Sequence, residues 1–207
     1  MKKLVLSLLA AFSLGCFSLS AQTVTNSGDG KYTLRVGNVT MVVDASKGGK
    51  IMSYKYNDKE VLSQTRMANS FGSTFWTSPQ SEWNWPPVPE YDTKPFNAEV
   101  AGDKLILTGE KSKRFGYRVR KEFTTDTKDN AIVITYTIVN QSGETRKVAP
   151  WEISRVPNGG LIFFDAKEVT PANNMETMPF VYEKKAAWYT LDESRKNRKI
   201  NADGKGW

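Results

Sequence analysis

Residues 117–139 read YRVRKEFTTDTKDNAIVITYTIV, and this stretch decides the fold class. Its first part, residues 117–123, alternates apolar and charged side chains, and its last part, residues 131–139, is rich in β-branched residues. Alternation of this kind is typical of strands that bury one face. The polar residues 126–130 between them have the composition of a turn. We therefore predict two strands joined by a turn.

Similar segments lie on both sides of this pair. Residues 32–36, 39–43, 51–56, 98–100, 104–108 and 146–156 have the same β-type patterning. Turns such as Ala101-Gly102-Asp103 and Gln141-Ser142-Gly143 separate them. Short strands at this spacing predict antiparallel sheets packed face to face, and no segment has the length and period of a core helix. The expected fold class is all-β, with residues 22–207 forming one domain.

The first 21 residues have the features of a secretory signal peptide. Lys2 and Lys3 precede an apolar run over residues 4–12, and Ser20-Ala21 supplies small residues before Gln22. The run is too short to be a stable transmembrane helix. Lipid attachment at Cys16 is a less favoured alternative, because the lipoprotein signal usually carries Leu where this chain has Ser13. We expect export to the periplasm or the medium and no transmembrane segment in the mature chain.

The charge and the residue types limit the possible chemistry. The formal net charge is +7, which falls to +5 without Lys2 and Lys3, and much of the excess lies in residues 184–207. Export and the lack of a recognisable motif argue against a nucleic-acid partner, so we expect a solvated basic segment. The chain has no His and one Cys, which excludes Ser-His-Asp sites and His-ligated zinc. We expect neither a metal nor a cofactor.

An aromatic stretch is the strongest functional signal. Residues 71–96 read FGSTFWTSPQSEWNWPPVPEYDTKPF and hold three of the six tryptophans and five of the nine prolines. Because Pro lacks a backbone N–H and fixes φ, we expect a stiff loop in place of a helix or a central strand. Rigid aromatic side chains on such a loop lose little entropy on binding, which suits a binding surface.

Within this stretch, Trp83 and Trp85 are two residues apart and so point the same way if the segment is extended. Together with Gln80 and Glu82 they would form a platform suited to a pyranose, whose C–H face stacks on aromatic rings while its hydroxyls bind amides and carboxylates. Trp76 suits either the core or ligand contact. A loop that folds back as an aromatic lid on a sheet face is the open alternative.

Carboxylates remain as candidates for catalysis. Glu82 lies between the loop tryptophans, and Glu152 follows Trp151. Paired carboxylates would serve glycoside hydrolysis. A solvated charge or a salt bridge with Arg66 or Arg155 is the open alternative for each of the two.

Several motifs, taken in order, resemble the galactose-mutarotase-like superfamily. They include VVDASKGGKI at residues 42–51, YNDKEVL at residues 56–62 and the segment 115–155. The motifs GSTFWTSPQ at 72–80, WNWPP at 83–87 and APWEISR at 149–155 are similar to its DUF4380 branch. The match covers roughly residues 30–165 and implies an antiparallel β-supersandwich with a concave, sugar-facing surface. The length of the chain is compatible with a C-terminally truncated supersandwich.

The resemblance also implies a carbohydrate partner, but the catalytic roles do not carry over. Mutarotases use a carboxylate base and a His acid, groups whose pKa values are tuned apart. At the place of that His, this chain has Trp151, Glu152 and Arg155.

We therefore expect an exported carbohydrate-recognition protein in which Trp83, Trp85 and Trp151 approach one surface with Glu152 and Arg155 at its base. The expected sugar-binding residues are Trp76, Gln80, Trp83, Trp85, Trp151, Arg155 and Arg66, and the candidate catalytic carboxylates are Glu152 and Glu82. The alternatives are a sugar-active enzyme, epimerase-like or hydrolytic, and an interaction protein that docks through its aromatic loop. The sugar and the oligomeric state are left open.

Overall fold

The computed structural model describes residues 23–65, 71–157, 161–165 and 181–190. The predicted signal peptide with Cys16, the predicted sugar contact Arg66, and residues 191–207 of the basic segment lie outside the described residues. In chain order the elements are β1 (Val24–Gly28), β2 (Lys31–Val36), β3 (Val39–Asp44), β4 (Lys50–Tyr56), β5 (Lys59–Glu60), β6 (Ser73–Ser78), a 3-10 helix (Gln80–Glu82), α1 (Pro89–Asp92), β7 (Asn97–Ala101), β8 (Lys104–Lys111), β9 (Tyr117–Asp126), β10 (Ala131–Asn140), β11 (Ala149–Ser154), β12 (Leu161–Asp165), β13 (Val181–Glu183) and β14 (Ala186–Thr190).

The strands form antiparallel sheets. The first sheet has the order β1-β2-β3-β4-β6-β11, with β5 paired to β4. The second has the order β10-β9-β8-β7, and a small third sheet has the order β12-β14-β13. The all-β prediction is confirmed, because antiparallel strands make up most of the described chain.

The core lies between the first two sheets, and β9 and β10 each direct one face toward it. Every second residue of β9 is buried, from Tyr117 to Thr125. Apolar side chains of β2, β3 and β4 meet them from the other sheet, including Leu34, Val43 and Ile51. Removing these apolar surfaces from water supplies the main driving force for folding.

The structure corrects the prediction that residues 71–96 form a single loop. Ser73–Ser78 is the strand β6, which lies between β4 and β11 in the first sheet. The prolines that excluded a strand begin only at Pro79, while residues 73–78 read STFWTS and consist of types that favour strands or tolerate them. The aromatic loop is therefore residues 79–96, and it contains the 3-10 helix and α1.

Candidate functional site

The pairing of β6 with β11 divides the predicted site residues between two faces of the first sheet. Trp151 pairs with Trp76, and Glu152 pairs with Phe75. Because successive side chains of a strand point to opposite faces, Trp76 and Trp151 share one face and Glu152 lies on the other. The expectation that Glu152 lies at the base of the tryptophan surface is therefore wrong. Trp151 and Glu152 are adjacent in β11, so the alternation of a strand already places them on opposite faces, and the expectation did not apply this period.

Four indoles group together on the face of the sheet that carries Trp76 and Trp151. We call this group the tryptophan cluster, and its members are Trp76, Trp83, Trp85 and Trp151. The ring of Trp76 meets those of Trp83, Trp85 and Trp151 edge-on, with centroids 5.9, 5.4 and 5.6 Å apart. Trp83 stacks on Trp85 at 5.8 Å and lies 6.2 Å from Trp151. The aromatic loop and β11 are far apart in sequence, and the fold brings them together here.

The members of the cluster differ in exposure. Trp76 and Trp83 are only 7% and 3% exposed, whereas Trp85 is 59% exposed. The buried indoles also use their N–H groups within the protein: Trp76 Nε1 donates to Asp92 Oδ1 at 2.8 Å, and Trp83 Nε1 donates to the Thr77 carbonyl at 2.8 Å. Trp76 and Trp83 are therefore the buried members of the cluster. Trp85, together with the half-buried Trp151, presents its surface to solvent.

A turn, and not an extended segment, aligns Trp83 with Trp85. Trp83 follows the 3-10 helix with a right-handed helical backbone, and its N–H donates to the Gln80 carbonyl. Asn84 has a φ of 52°, in the left-handed region that Asn tolerates better than most residues. Gln80 itself is exposed on the 3-10 helix. The two indoles stack on each other, and this turn replaces the extended backbone that the sequence led us to expect.

Arg155 lies on the same face as the tryptophan cluster. Its guanidinium carbon is 5.9 Å from the centre of the Trp76 ring, and Nη1 donates to Thr74 Oγ1 at 3.2 Å. Partial burial lowers the pKa of Arg155, while the nearby carboxylates of Asp92 and Glu152 oppose this shift. A half-buried cation beside a partly exposed aromatic surface can bind hydroxyl or anionic oxygens of a ligand.

On the opposite face, Glu152 belongs to a polar network with Ser73 and Tyr136. The Ser73 hydroxyl donates to Glu152 Oε1 and lies 2.9 Å from the hydroxyl of Ser154. Burial raises the pKa of the Tyr136 phenol, and the neighbouring Glu152 carboxylate raises it further. The Tyr136 ring stacks on Phe75 at 4.6 Å. Glu152 itself is exposed, so a carboxylate accessible to solvent stands at the edge of the core.

Lys121 is a buried cation near Glu152, and its role was not predicted from the sequence. It is 1% exposed, and Nζ donates to the carbonyls of Gly48 and Gly49 at 2.7 and 3.3 Å. Burial lowers the pKa of Lys121 to about 8, while Glu152 and Asp92 oppose the shift. The alternation of β9 could have predicted its burial, because Lys121 occupies an inward position between Val119 and Phe123.

Glu82, the other candidate carboxylate, contacts a different set of groups. The Tyr117 hydroxyl donates to Glu82 Oε1 at 3.2 Å, and Arg146 Nη1 lies 3.5 Å from the same oxygen. Arg114 donates to the main-chain carbonyls of Glu82 and Trp83 at 3.3 and 3.2 Å. Arg114 and Arg146 fix the start of the aromatic loop, and neither stood out in the sequence. Glu82 and Glu152 therefore have different hydrogen-bond and charge partners.

Metal and membrane sites are not seen in the described part of the chain. Residues 23–65, 71–157, 161–165 and 181–190 contain no group of three or more His, Cys, Asp or Glu side chains arranged to hold a metal ion. In the same ranges, no helix has the length and apolar character needed to cross a membrane.

Comparisons with known proteins leave the family undetermined. No family model matches the chain, and no curated protein matches it. A solved structure with some similarity is described as the crystal structure of 4-alpha-glucanotransferase from Thermococcus litoralis. It is 12% identical with a TM-score of 0.35, and the match covers 68% of this chain and 25% of that one. The chain thus spans about a quarter of that protein, and a likeness this weak does not bear on function.

Proposed function

We propose that the protein is an exported carbohydrate-recognition protein that binds a sugar on the exposed part of the tryptophan cluster. The observation that carries the proposal is the state of Trp85, an indole 59% exposed yet packed against both Trp76 and Trp83. An aromatic ring held in this way loses little entropy when a ligand covers it, and it offers an apolar face to the C–H groups of a pyranose.

Nearby polar groups complement this surface. Trp151 extends it toward Arg155, since both contact the ring of Trp76. Sugar hydroxyls need such donors beside the stacking ring, because an apolar surface alone gives no orientation. The proposed fold within the all-β class is the galactose-mutarotase-like supersandwich, which the order of sequence motifs supports. Export is proposed from the N-terminal charge and hydropathy pattern alone.

Glycan binding by purified protein tests this function. A glycan array first identifies a bound neutral oligosaccharide, and calorimetry then compares the protein with Trp85→Ala and with Phe163→Ala. Phe163, 63% exposed on β12, is a matched control for the loss of an exposed aromatic ring. We expect Trp85→Ala to weaken binding about tenfold or more and Phe163→Ala to leave it unchanged. Binding to no glycan, or equal binding by both variants, would contradict the proposal and favour an interaction protein.

A carboxylate-dependent enzyme acting on sugars is the second candidate function. The exposed Glu152 carboxylate favours it, because this group accepts a hydrogen bond from Ser73 and interacts electrostatically with Tyr136 and the Lys121 ammonium. General acid–base help of this kind contributes about 10²- to 10⁴-fold to a rate. Polarimetry on fresh α-anomers distinguishes the two functions, with Glu152→Gln as the variant and Glu99→Gln on β7 as the control. We expect no mutarotation above background, whereas fast mutarotation lost only in Glu152→Gln would favour the enzyme.

A further inference from the structure

A basic pocket lies beside the aromatic loop. It has a volume of about 480 Å³ and opens between the end of β8 with the following residues 112–116 and the connection from β10 to β11. Four of its lining residues are positively charged, namely Lys111, Lys113, Arg114 and Arg146, and none of the lining residues that the structure describes is acidic. Concave surfaces lined by one sign of charge concentrate ligands of the opposite charge.

Most of this positive charge is not neutralised by neighbouring carboxylates. Arg146 pairs with Glu144 at 2.9 Å and with Glu82 at 3.5 Å. Arg114 donates to two main-chain carbonyls, which orient the guanidinium without cancelling its charge. Among the described residues, Lys111 and Lys113 have no carboxylate within ion-pair distance. The pocket therefore has an excess of cationic donors available to an anion.

Arg114 connects the pocket to the loop that carries the proposed sugar surface. Arg114 lines the pocket and also binds the carbonyls of Glu82 and Trp83, and Trp83 stacks on Trp85. Trp85 is three residues beyond Glu82, so the Cα atoms of these two residues are at most about 11 Å apart. One oligosaccharide can therefore contact Trp85 with one unit and reach toward the pocket with a neighbouring unit.

We propose that this pocket binds the anionic substituent of an acidic glycan, a carboxylate of a uronic acid or a sulfate ester, while a neighbouring sugar unit stacks on Trp85. This inference rests on the proposed function, since it specifies the class of glycan. Guanidinium and ammonium groups form charge-assisted hydrogen bonds to both kinds of anion. Ser142, which also lines the pocket, adds a hydroxyl that can bind an anionic oxygen.

Calorimetry with three oligosaccharides tests the inference: one built of uronic acids, one of neutral sugars bearing sulfate, and the same neutral oligosaccharide without sulfate. We expect both acidic ligands to bind more tightly than the unsulfated one. We also expect this preference to shrink as the salt concentration rises, because 0.1 M salt screens exposed charges beyond a Debye length of about 10 Å. Sodium sulfate alone, at matched ionic strength, should compete only weakly.

A double variant separates the pocket from the general charge of the protein. Lys111→Gln with Lys113→Gln removes two exposed cations, and Lys59→Gln with Lys128→Gln changes the net charge equally at sites outside the pocket. We expect the first variant to weaken binding of the acidic glycans roughly three- to tenfold and to leave the unsulfated glycan unaffected. The control should leave all three affinities unchanged.

The outcomes distinguish this inference from the function on which it rests. If the unsulfated glycan binds and the acidic glycans bind no more tightly than it does, the pocket has no such role and the proposed function stands. Equal losses in the two double variants, or competition by sulfate as strong as by the acidic glycans, would also overturn the inference. If no glycan binds, the proposed function fails together with it.

Discussion

Trp85 stacks on Trp83 with ring centroids 5.8 Å apart and an angle of 25° between the ring planes, yet one ring faces solvent and the other lies in the core. This pair joins the hydrophobic core to the proposed binding surface. Trp83 also donates its indole N–H to the Thr77 carbonyl of β6, so the sheet holds the pair in place. A ligand on Trp85 therefore meets a ring whose position is set by the fold.

The two rings are expected to differ in what their removal costs. Trp83→Ala should lower the free energy of unfolding by about 3–5 kcal/mol, because it leaves a cavity and an unpaired carbonyl in the core. Trp85→Ala should lower it by less than about 1 kcal/mol, since most of this ring is already in water. Chemical denaturation measures both values. Equal costs for the two variants would show that Trp85 is a structural residue.

Asn84 lies between the stacked Trp83 and Trp85 with its backbone in the left-handed region. At its φ of 52°, Asn84→Gly should keep the backbone and the glycan affinity. Asn84→Val should cost about 1–2 kcal/mol, because a β-branched residue is strained in this region. Near-UV circular dichroism of the coupled indoles, together with denaturation, checks the difference. A Val variant with an unchanged spectrum and stability would mean that the loop does not depend on this conformation.

Gly48 lets α1 pack against the turn between β3 and β4. A Cβ at this position would lie 2.3 Å from the Asp92 carbonyl oxygen, whereas one at Gly102 would meet nothing within 4 Å. Both glycines have positive φ, 64° and 63°. Gly102→Ala therefore measures backbone strain alone, about 1 kcal/mol, and Gly48→Ala should cost at least about 2 kcal/mol more. Equal costs in thermal denaturation would contradict this packing.

Lys121 should give the protein an unusual pH dependence of stability. Its pKa is lowered from 10.5 to about 8 in the folded state, so between these values the unfolded chain binds more protons. The free energy of unfolding should therefore rise with pH in this window, by up to about 1.4 kcal/mol per unit. Glu152, Asp92 and Tyr136 are the titratable groups that lie near this ammonium or its side chain.

The tyrosines have the opposite effect at higher pH. Burial raises the pKa values of Tyr91, Tyr117 and Tyr136, so above about pH 10 the folded state retains protons that the unfolded chain loses, and stability falls. Lys121→Met should abolish the rise in the free energy of unfolding above pH 8 and retain its fall at higher pH. The exposed control Lys128→Met should change neither. Urea denaturation between pH 7 and about 11 measures both limbs. A rise that persists in Lys121→Met would assign it to another group.

Local patterning predicted most strands, and tertiary pairing accounts for what it missed. The alternation in β9 and the β-branched run in β10 were sufficient to predict the hairpin between them. β6 escapes prediction because the prolines that follow from Pro79 onward give the whole stretch 71–96 the composition of a loop. That Trp151 shares a face with Trp76 depends on the register between β11 and β6. No local pattern within β11 determines that register.

The buried polar groups were harder to predict for a related reason. Lys121 is stabilised by the Gly48 and Gly49 carbonyls, which are more than seventy positions away in sequence. Likewise, Arg114 reaches the carbonyls of Glu82 and Trp83 only after β8, β9 and the aromatic loop have packed together. Such contacts arise from topology, and the residue types alone do not indicate them.

The proposed sugar surface is tested most directly by the indole N–H signals in a two-dimensional NMR spectrum, assigned by single Trp→Phe variants and followed during titration with the glycan that binds most tightly on the array. We expect the signals of Trp85 and Trp151 to shift most. Those of Trp76 and Trp83, which are hydrogen-bonded to Asp92 and Thr77, should move little, and that of Trp188 on β14 should not move. Shifts confined to Trp188, or saturable binding with no change at Trp85, would contradict the assignment of the ligand site to the tryptophan cluster.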